Sequence, residues 1–278
     1  MSSTPFVFDV TDGAVIRGDV HLPAGDELCP VVVICHGFKG FKDWGFFTWL
    51  ADQIAAAGCA AVRFNFSLNG VGEDLQNFTE LDKFEQNTFS RELADVLAVL
   101  GKLEAGDLPA NNRLDFSRIG ILGHSRGGAI ALLTAANDKR IRALTTWSSV
   151  PNLFWYPDTH KQWRADGYHA IFNARTKQEM RLGIGLLDDM TDNRQSLDVL
   201  AHAGTLQVPT LIVHGVNDEA VPVEAAEMIH RALGADHKQL CLVENAGHTY
   251  NAVHPFEHST PQLDEAIAAT TGWFADNL

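Results

Sequence analysis

Gly123-His124-Ser125-Arg126-Gly127 joins a strand-like apolar run, Ile119-Gly120-Ile121-Leu122, to a helix-like run, Ala129-Ile130-Ala131-Leu132-Leu133. A Gly-x-Ser-x-Gly sequence at such a junction reads as a sharp turn that lifts the serine hydroxyl clear of a strand's carboxyl end. The flanking glycines answer a steric need, because a side chain at either position would collide with the neighbouring strand or helix backbone. Ser125 is therefore the nucleophile this stretch predicts. In glycine-rich chains the pattern also arises by chance, so its meaning depends on whether an acid and a base follow in the required order.

Serine chemistry needs a base to take the hydroxyl proton, an acid to orient that base, and donors for the oxyanion. On a strand–turn–helix of this kind the chain order is Ser, then Asp or Glu, then His. The apolar strand Thr210-Leu211-Ile212-Val213 leads into His214-Gly215-Val216-Asn217-Asp218, which places Asp218 at a strand's carboxyl end. Glu219 lies one residue deeper into the turn and reads as an acid near the start of the next helix. The following strand, Leu240-Cys241-Leu242-Val243, ends in Glu244-Asn245-Ala246-Gly247-His248, and His248 is the expected base among the chain's 12 histidines. Two backbone donors are expected for the oxyanion: the N–H of Arg126, at the positive end of the helix it opens, and that of Phe38. Phe38 belongs to Cys35-His36-Gly37-Phe38-Lys39-Gly40, the loop after the apolar strand that starts at Val31.

Between Phe6 and Leu22 the pattern has period two around Thr11-Asp12-Gly13, which predicts an antiparallel hairpin. Beyond it, short continuous apolar runs alternate with helical stripes. Such runs suit a sheet covered by helices on both faces, and hence mostly parallel strands. No Pro/Gly/Ser-rich linker divides the 278 residues, so a single domain spanning 1–278 is expected.

The residues His36-Gly37-Phe38, Gly123 to Gly128, Asp218 and His248 together resemble the α/β-hydrolase superfamily, from roughly Val7 to the end of the chain. The resemblance implies an α/β-hydrolase fold: a mostly parallel eight-stranded sheet with an antiparallel N-terminal hairpin, helices on both faces and a small cap insertion. Within the superfamily, His36 to Gly40 followed by Asp43, and Phe64-Asn65-Phe66 leading into Asn69-Gly70-Val71-Gly72, are similar to the cinnamoyl/feruloyl-type esterases and the dienelactone hydrolase-like group. Dienelactone hydrolases carry a cysteine nucleophile where this chain has Ser125.

The expected cap spans about 151–206, too long for a crossover made of ~2–6-residue loops and one helix. It would hang over the carboxyl edge of the sheet, where ligands bind in open α/β folds. Its aromatics Trp155, Tyr156, Trp163 and Phe172 are candidate substrate-binding residues. Lys39, Arg126 and Arg164 are cations that could meet an anionic substrate, the alternative being solvated surface.

Acidic residues outnumber basic ones by 35 to 21, a field that repels nucleic acid and anionic membrane, so neither is an expected partner. The apolar runs are too short to span a bilayer, no basic-then-apolar leader opens the chain, and Cys29, Cys35, Cys59 and Cys241 form no C-x-x-C pair. A cytoplasmic location with reduced thiols is the expectation. His254-Pro255-Phe256-Glu257-His258 matches a zinc-binding H-x-x-E-H pattern, but Pro255 and the helix-start signal Ser259-Thr260-Pro261 leave little helix on which to stack two ligands. No metal or cofactor is expected. The reading is a serine hydrolase acting on small to medium or aromatic carboxylic esters. A serine peptidase or amidase of the oligopeptidase-like type would share the same machinery, and a non-catalytic binding protein could share the fold.

Overall fold

The computed structural model describes residues 3–74 and 77–278. Among the described residues ten strands are formed: β1 (Ser3–Asp9), β2 (Val15–His21), β3 (Cys29–Cys35), β4 (Ala60–Asn65), β5 (Leu114–His124), β6 (Ile141–Trp147), β7 (Tyr168–Asn173), β8 (Gln178–Gly183), β9 (Thr210–Gly215) and β10 (Lys238–Val243). Eight of them make one sheet in the order β1-β2-β4-β3-β5-β6-β9-β10. β2 pairs antiparallel with β1 and with β4, and every other neighbour in that sheet is parallel.

The continuous apolar strands are explained by two separate cores. Successive side chains on a strand point to opposite faces, so a strand buried on both sides needs apolar residues at every position. In β3, Val31 and Val33 enter one core and Val32 and Ile34 the other. The first core is closed by α3 (Phe89–Glu104) and α4 (Arg126–Asn137), through residues such as Val96, Leu100, Ile130 and Leu133. The second is closed by α1 (Phe47–Ala56) and α9 (Pro261–Asn277), through Leu50, Ile54, Leu263 and Phe274. Thr260 caps α9 by accepting the Leu263 N–H, with Pro261 in the first turn.

The region 151–206 has regular structure that its aromatic composition concealed. It contains α5 (His160–Asp166), the antiparallel β7–β8 hairpin, α6 (Ile184–Asp192) and α7 (Val199–Thr205). The hairpin stands apart from the main sheet and rests on α2 (Leu81–Gln86). A Cβ added at Gly183 would lie 2.4 Å from the Glu85 carbonyl oxygen, so β8 ends against the helix backbone. The last helix before the final strand, α8 (Glu224–Ala232), begins two residues beyond Pro222.

What matters for the site is the carboxyl edge of the sheet. The loops that leave β3, β5, β9 and β10 carry Phe38, Ser125, Asp218 and His248, and parallel neighbours deliver all four loops to one edge.

Candidate active site

Ser125 occupies the one-residue turn between β5 and α4 with φ 57° and ψ −123°, a conformation L-residues rarely adopt. The flanking glycines make it possible. A Cβ at Gly123 would sit 2.0 Å from the Gly127 carbonyl oxygen, and one at Gly127 would sit 2.4 Å from that of His36. The Ser125 N–H donates to the Trp147 carbonyl at 2.8 Å, tying the turn to β6.

His248 donates from Nδ1 to Asp218 Oδ2 at 2.8 Å, which leaves its Nε2 free to accept a proton. The other carboxylate oxygen of Asp218 accepts the N–H groups of Ala220 and Val221, each at 2.9 Å, so the acid is locked by its own turn. Burial pushes this carboxyl up, but the hydrogen bond and charge of His248, helped by Val221 and Ser148, outweigh it and hold Asp218 below the usual carboxylate range. Glu219 is exposed and takes no part in this pairing.

The β3 loop approaches Ser125 closely: a Cβ at Gly37 would lie 3.0 Å from Ser125 Cβ. His36 is buried and donates from Nδ1 to the Gly37 carbonyl at 2.9 Å, while its Nε2 accepts the Phe66 N–H. The Gly40 N–H reaches the same Gly37 carbonyl. Because the peptide is planar and trans, fixing that carbonyl also fixes the direction of the Phe38 N–H on the opposite side. Burial drives the His36 imidazole down to about 3, so it stays neutral and holds this tautomer.

His124, the residue before Ser125, donates from Nε2 to the His248 backbone carbonyl at 2.9 Å. Burial first, and then the charge of His248, bring its value down to about 3. The Arg126 side chain is buried and paired with the fully buried Glu92, and its guanidinium lies 4.8 Å from the Phe38 ring centroid and 5.7 Å from that of Trp155. Burial raises Glu92 to about 7 against the pull of Arg126 and Asn87.

Two cavities flank Ser125 and His248. The larger, about 580 Å³, is walled by Phe38, Val150, Phe154, Trp155, Tyr156 and Val221, with Arg126 among its remaining neighbours. The smaller, about 290 Å³, is bounded by the Gly37–Gly40 loop, Trp44, Thr249 and Asn173 to Arg175. Segment 151–206 thus contributes to both.

The candidate substrate-binding aromatics separate into two pairs. Trp155 and Tyr156 line the larger cavity. Trp163 is buried to 1% exposure in the core beneath the insertion, while Phe172 is 60% exposed on β7, and neither lines the two cavities. Arg164 pairs with Asp188 at 3.0 Å on the surface, away from both. The positioning contacts of His36 and His124 had no sequence signal beyond their place beside Gly37 and Ser125.

The chain from Asn251 to Thr260 forms no helix, so His254 and His258 are not stacked one turn apart, and His254 Nδ1 instead accepts the Gly45 N–H at 2.9 Å. Among the described residues no group of three or more His, Cys, Asp or Glu side chains is placed to hold a metal ion. All four cysteines are free. Among the described residues no helix is long and apolar enough to cross a membrane.

A mostly parallel eight-stranded sheet with antiparallel N-terminal strands, and a serine on a strand-to-helix turn at its carboxyl edge, define the α/β-hydrolase fold. The sequence pattern of the prolyl oligopeptidase family matches residues 48–278, and the chain belongs to that family. It is 26% identical over 243 residues to 2,6-dihydropseudooxynicotine hydrolase of Paenarthrobacter nicotinovorans, covering 86% of this chain but 58% of that protein. In structure it resembles Est1E from Butyrivibrio proteoclasticus, a protein also solved with ferulic acid bound, with TM-score 0.71, 21% identity and 98% of each chain covered. It also resembles the dienelactone hydrolase from Anabaena variabilis ATCC 29413, with TM-score 0.64, 16% identity and 99% of each chain covered.

Proposed function

We propose that the chain is a serine esterase that works through an acyl-enzyme. The observation that carries this reading is the 2.8 Å bond from His248 to Asp218 at the wall of the same cavities that hold Ser125 in its strained turn. Ser125 Oγ attacks the ester carbonyl as His248 Nε2 takes its proton, and Asp218 stabilises the imidazolium that forms. The Phe38 and Arg126 N–H groups hold the tetrahedral oxyanion. Collapse expels the alcohol, which takes the proton from His248. Water, deprotonated by the same base, then attacks the acyl-enzyme and releases the acid and Ser125.

Two cavities of small-molecule size, one on each side of the nucleophile, favour a compact ester over an extended polypeptide. The aromatic wall of Phe38, Trp155 and Tyr156 suits a small to medium or aromatic group. The family match supports a second reading, an amidase or peptidase with the same residues. Parallel assays of p-nitrophenyl esters and aminoacyl anilides, in the native protein and in Ser125→Ala, decide. Ser125-dependent ester hydrolysis far faster than anilide hydrolysis supports the esterase. A preference for anilides supports the peptidase, and ester hydrolysis undiminished in Ser125→Ala overturns both.

A further inference from the structure

The smaller cavity carries two cations and no acidic residue. Lys39 enters from the β3 loop, and Arg175 from the turn between β7 and β8. Elsewhere the buried cations of this acidic chain are matched: Lys42 and Arg63 by Asp19 and Asp43, and Arg126 by Glu92. Lys39, half-buried, and Arg175, exposed, differ. Among the described residues neither has a carboxylate within ion-pair reach, and burial is the influence that lowers each of them.

Their contacts are with aromatic rings. Lys39 Nζ lies 5.6 Å from the Phe38 centroid, and the Arg175 guanidinium lies 5.3 Å and 5.6 Å from those of Phe41 and Phe78. Ring faces attract a cation but accept few of its N–H bonds, so a guanidinium fork and an ammonium are left with donors to satisfy. Partly desolvated and unpaired, both cations gain free energy when an anion enters. Lys39 also borders the larger cavity, but the second cation there, Arg126, is already neutralised by Glu92, so the smaller cavity is where both unpaired cations meet.

We propose that Lys39 and Arg175 form an anion subsite beside the nucleophile, and that the half of the ester seated there carries a carboxylate. Arg175 supplies the planar fork that matches a carboxylate and Lys39 the point charge. The apolar half then occupies the larger cavity, so the substrate is bipartite. This specificity rests on the esterase reading above.

Two substrate pairs test it, one for each half of the ester. Mono-p-nitrophenyl adipate is compared with p-nitrophenyl hexanoate, and 4-carboxyphenyl butanoate with 4-carbamoylphenyl butanoate, each corrected for spontaneous hydrolysis. In the native protein kcat/KM for one anionic member exceeds that of its neutral partner, and in Lys39→Ala/Arg175→Ala the ratio of the two falls by about tenfold or more. Added salt lowers the same ratio. Calorimetric titration with adipate gives binding to the native protein that the double variant loses. If Ser125-dependent hydrolysis favours the neutral member of both pairs, the subsite is wrong and the esterase stands. If no ester is turned over, the esterase reading fails, and adipate binding then decides the subsite by itself, its absence overturning the proposal.

Discussion

His124 Nε2–H reaches the backbone carbonyl of His248 across 2.9 Å, so the residue preceding Ser125 holds the backbone of His248. The two rings lie 4.7 Å apart, and His124 is itself gripped by the rings of Phe46 and Phe47. This contact joins the β5 and β10 loops, and with them two parts of the candidate machinery that are far apart in sequence. In the proposed esterase His124 is a positioning residue.

Replacing His124 with Phe keeps the ring and removes the donor. The expected result is a kcat lower by about ten- to a hundredfold with a smaller change in KM, the cost of a base displaced by a fraction of an ångström. His124→Gln, which can still donate, restores part of the loss. A purely structural role would instead lower the melting temperature of both variants and leave kcat per folded molecule unchanged.

Asp218→Asn removes the carboxylate that fixes the His248 tautomer. Ester hydrolysis is expected to fall by about 10³- to 10⁴-fold near neutral pH. Glu219→Gln, one residue further on and exposed, is expected to change kcat/KM less than about twofold, since exposed substitutions away from bonded networks act weakly. Steady-state kinetics of the two variants side by side check the assignment of the acid.

Glu92→Ala leaves the buried Arg126 without its partner. Breaking such a pair from one side costs about 3–5 kcal/mol of stability, read from urea unfolding. Because Arg126 also faces Phe38 and Trp155, ester hydrolysis is expected to fall in the same variant under conditions where it remains folded.

Acid acts on stability through two buried imidazoles. His36 and His124 both fall from an ordinary value of 6.5 to about 3. Between those values the unfolded chain binds more protons than the folded one, so stability rises with pH across that window. Acidification from 6.5 toward 3 therefore destabilises the fold, by up to ~1.4 kcal/mol per pH unit for each group. Glu92, raised from 4.5 to about 7, acts in the opposite sense between those two values, so the check is the comparison: between pH 7 and pH 5.5 the urea midpoint of the native protein is expected to fall more, or rise less, than that of His124→Gln.

The parts of the site legible in the sequence are those set by strand ends. Ser125, Asp218 and His248 each follow an apolar strand, and a parallel sheet delivers such positions to one edge whatever the loops do. The glycines around Ser125 were readable for the same reason, since close backbone approach leaves few residue choices. The insertion was not readable in this way. Trp163 lies on the buried face of α5 and Phe172 on the exposed face of β7, whereas Trp155 and Tyr156 lie in irregular chain ahead of α5, and the pattern over 160–183 has no long amphipathic period to show it. The bond from His124 to His248 and the pairing of Arg126 with Glu92 are long-range tertiary contacts that no local spacing encodes.

The central claim is that Ser125 becomes covalently acylated, and intact-protein mass measurement after treatment with a fluorophosphonate probe tests it most directly. The account predicts one adduct per chain, mapped by peptide sequencing to Ser125, absent in Ser125→Ala and accompanied by loss of ester hydrolysis in step with labelling. An unlabelled Ser125 in a protein that continues to hydrolyse esters would contradict it.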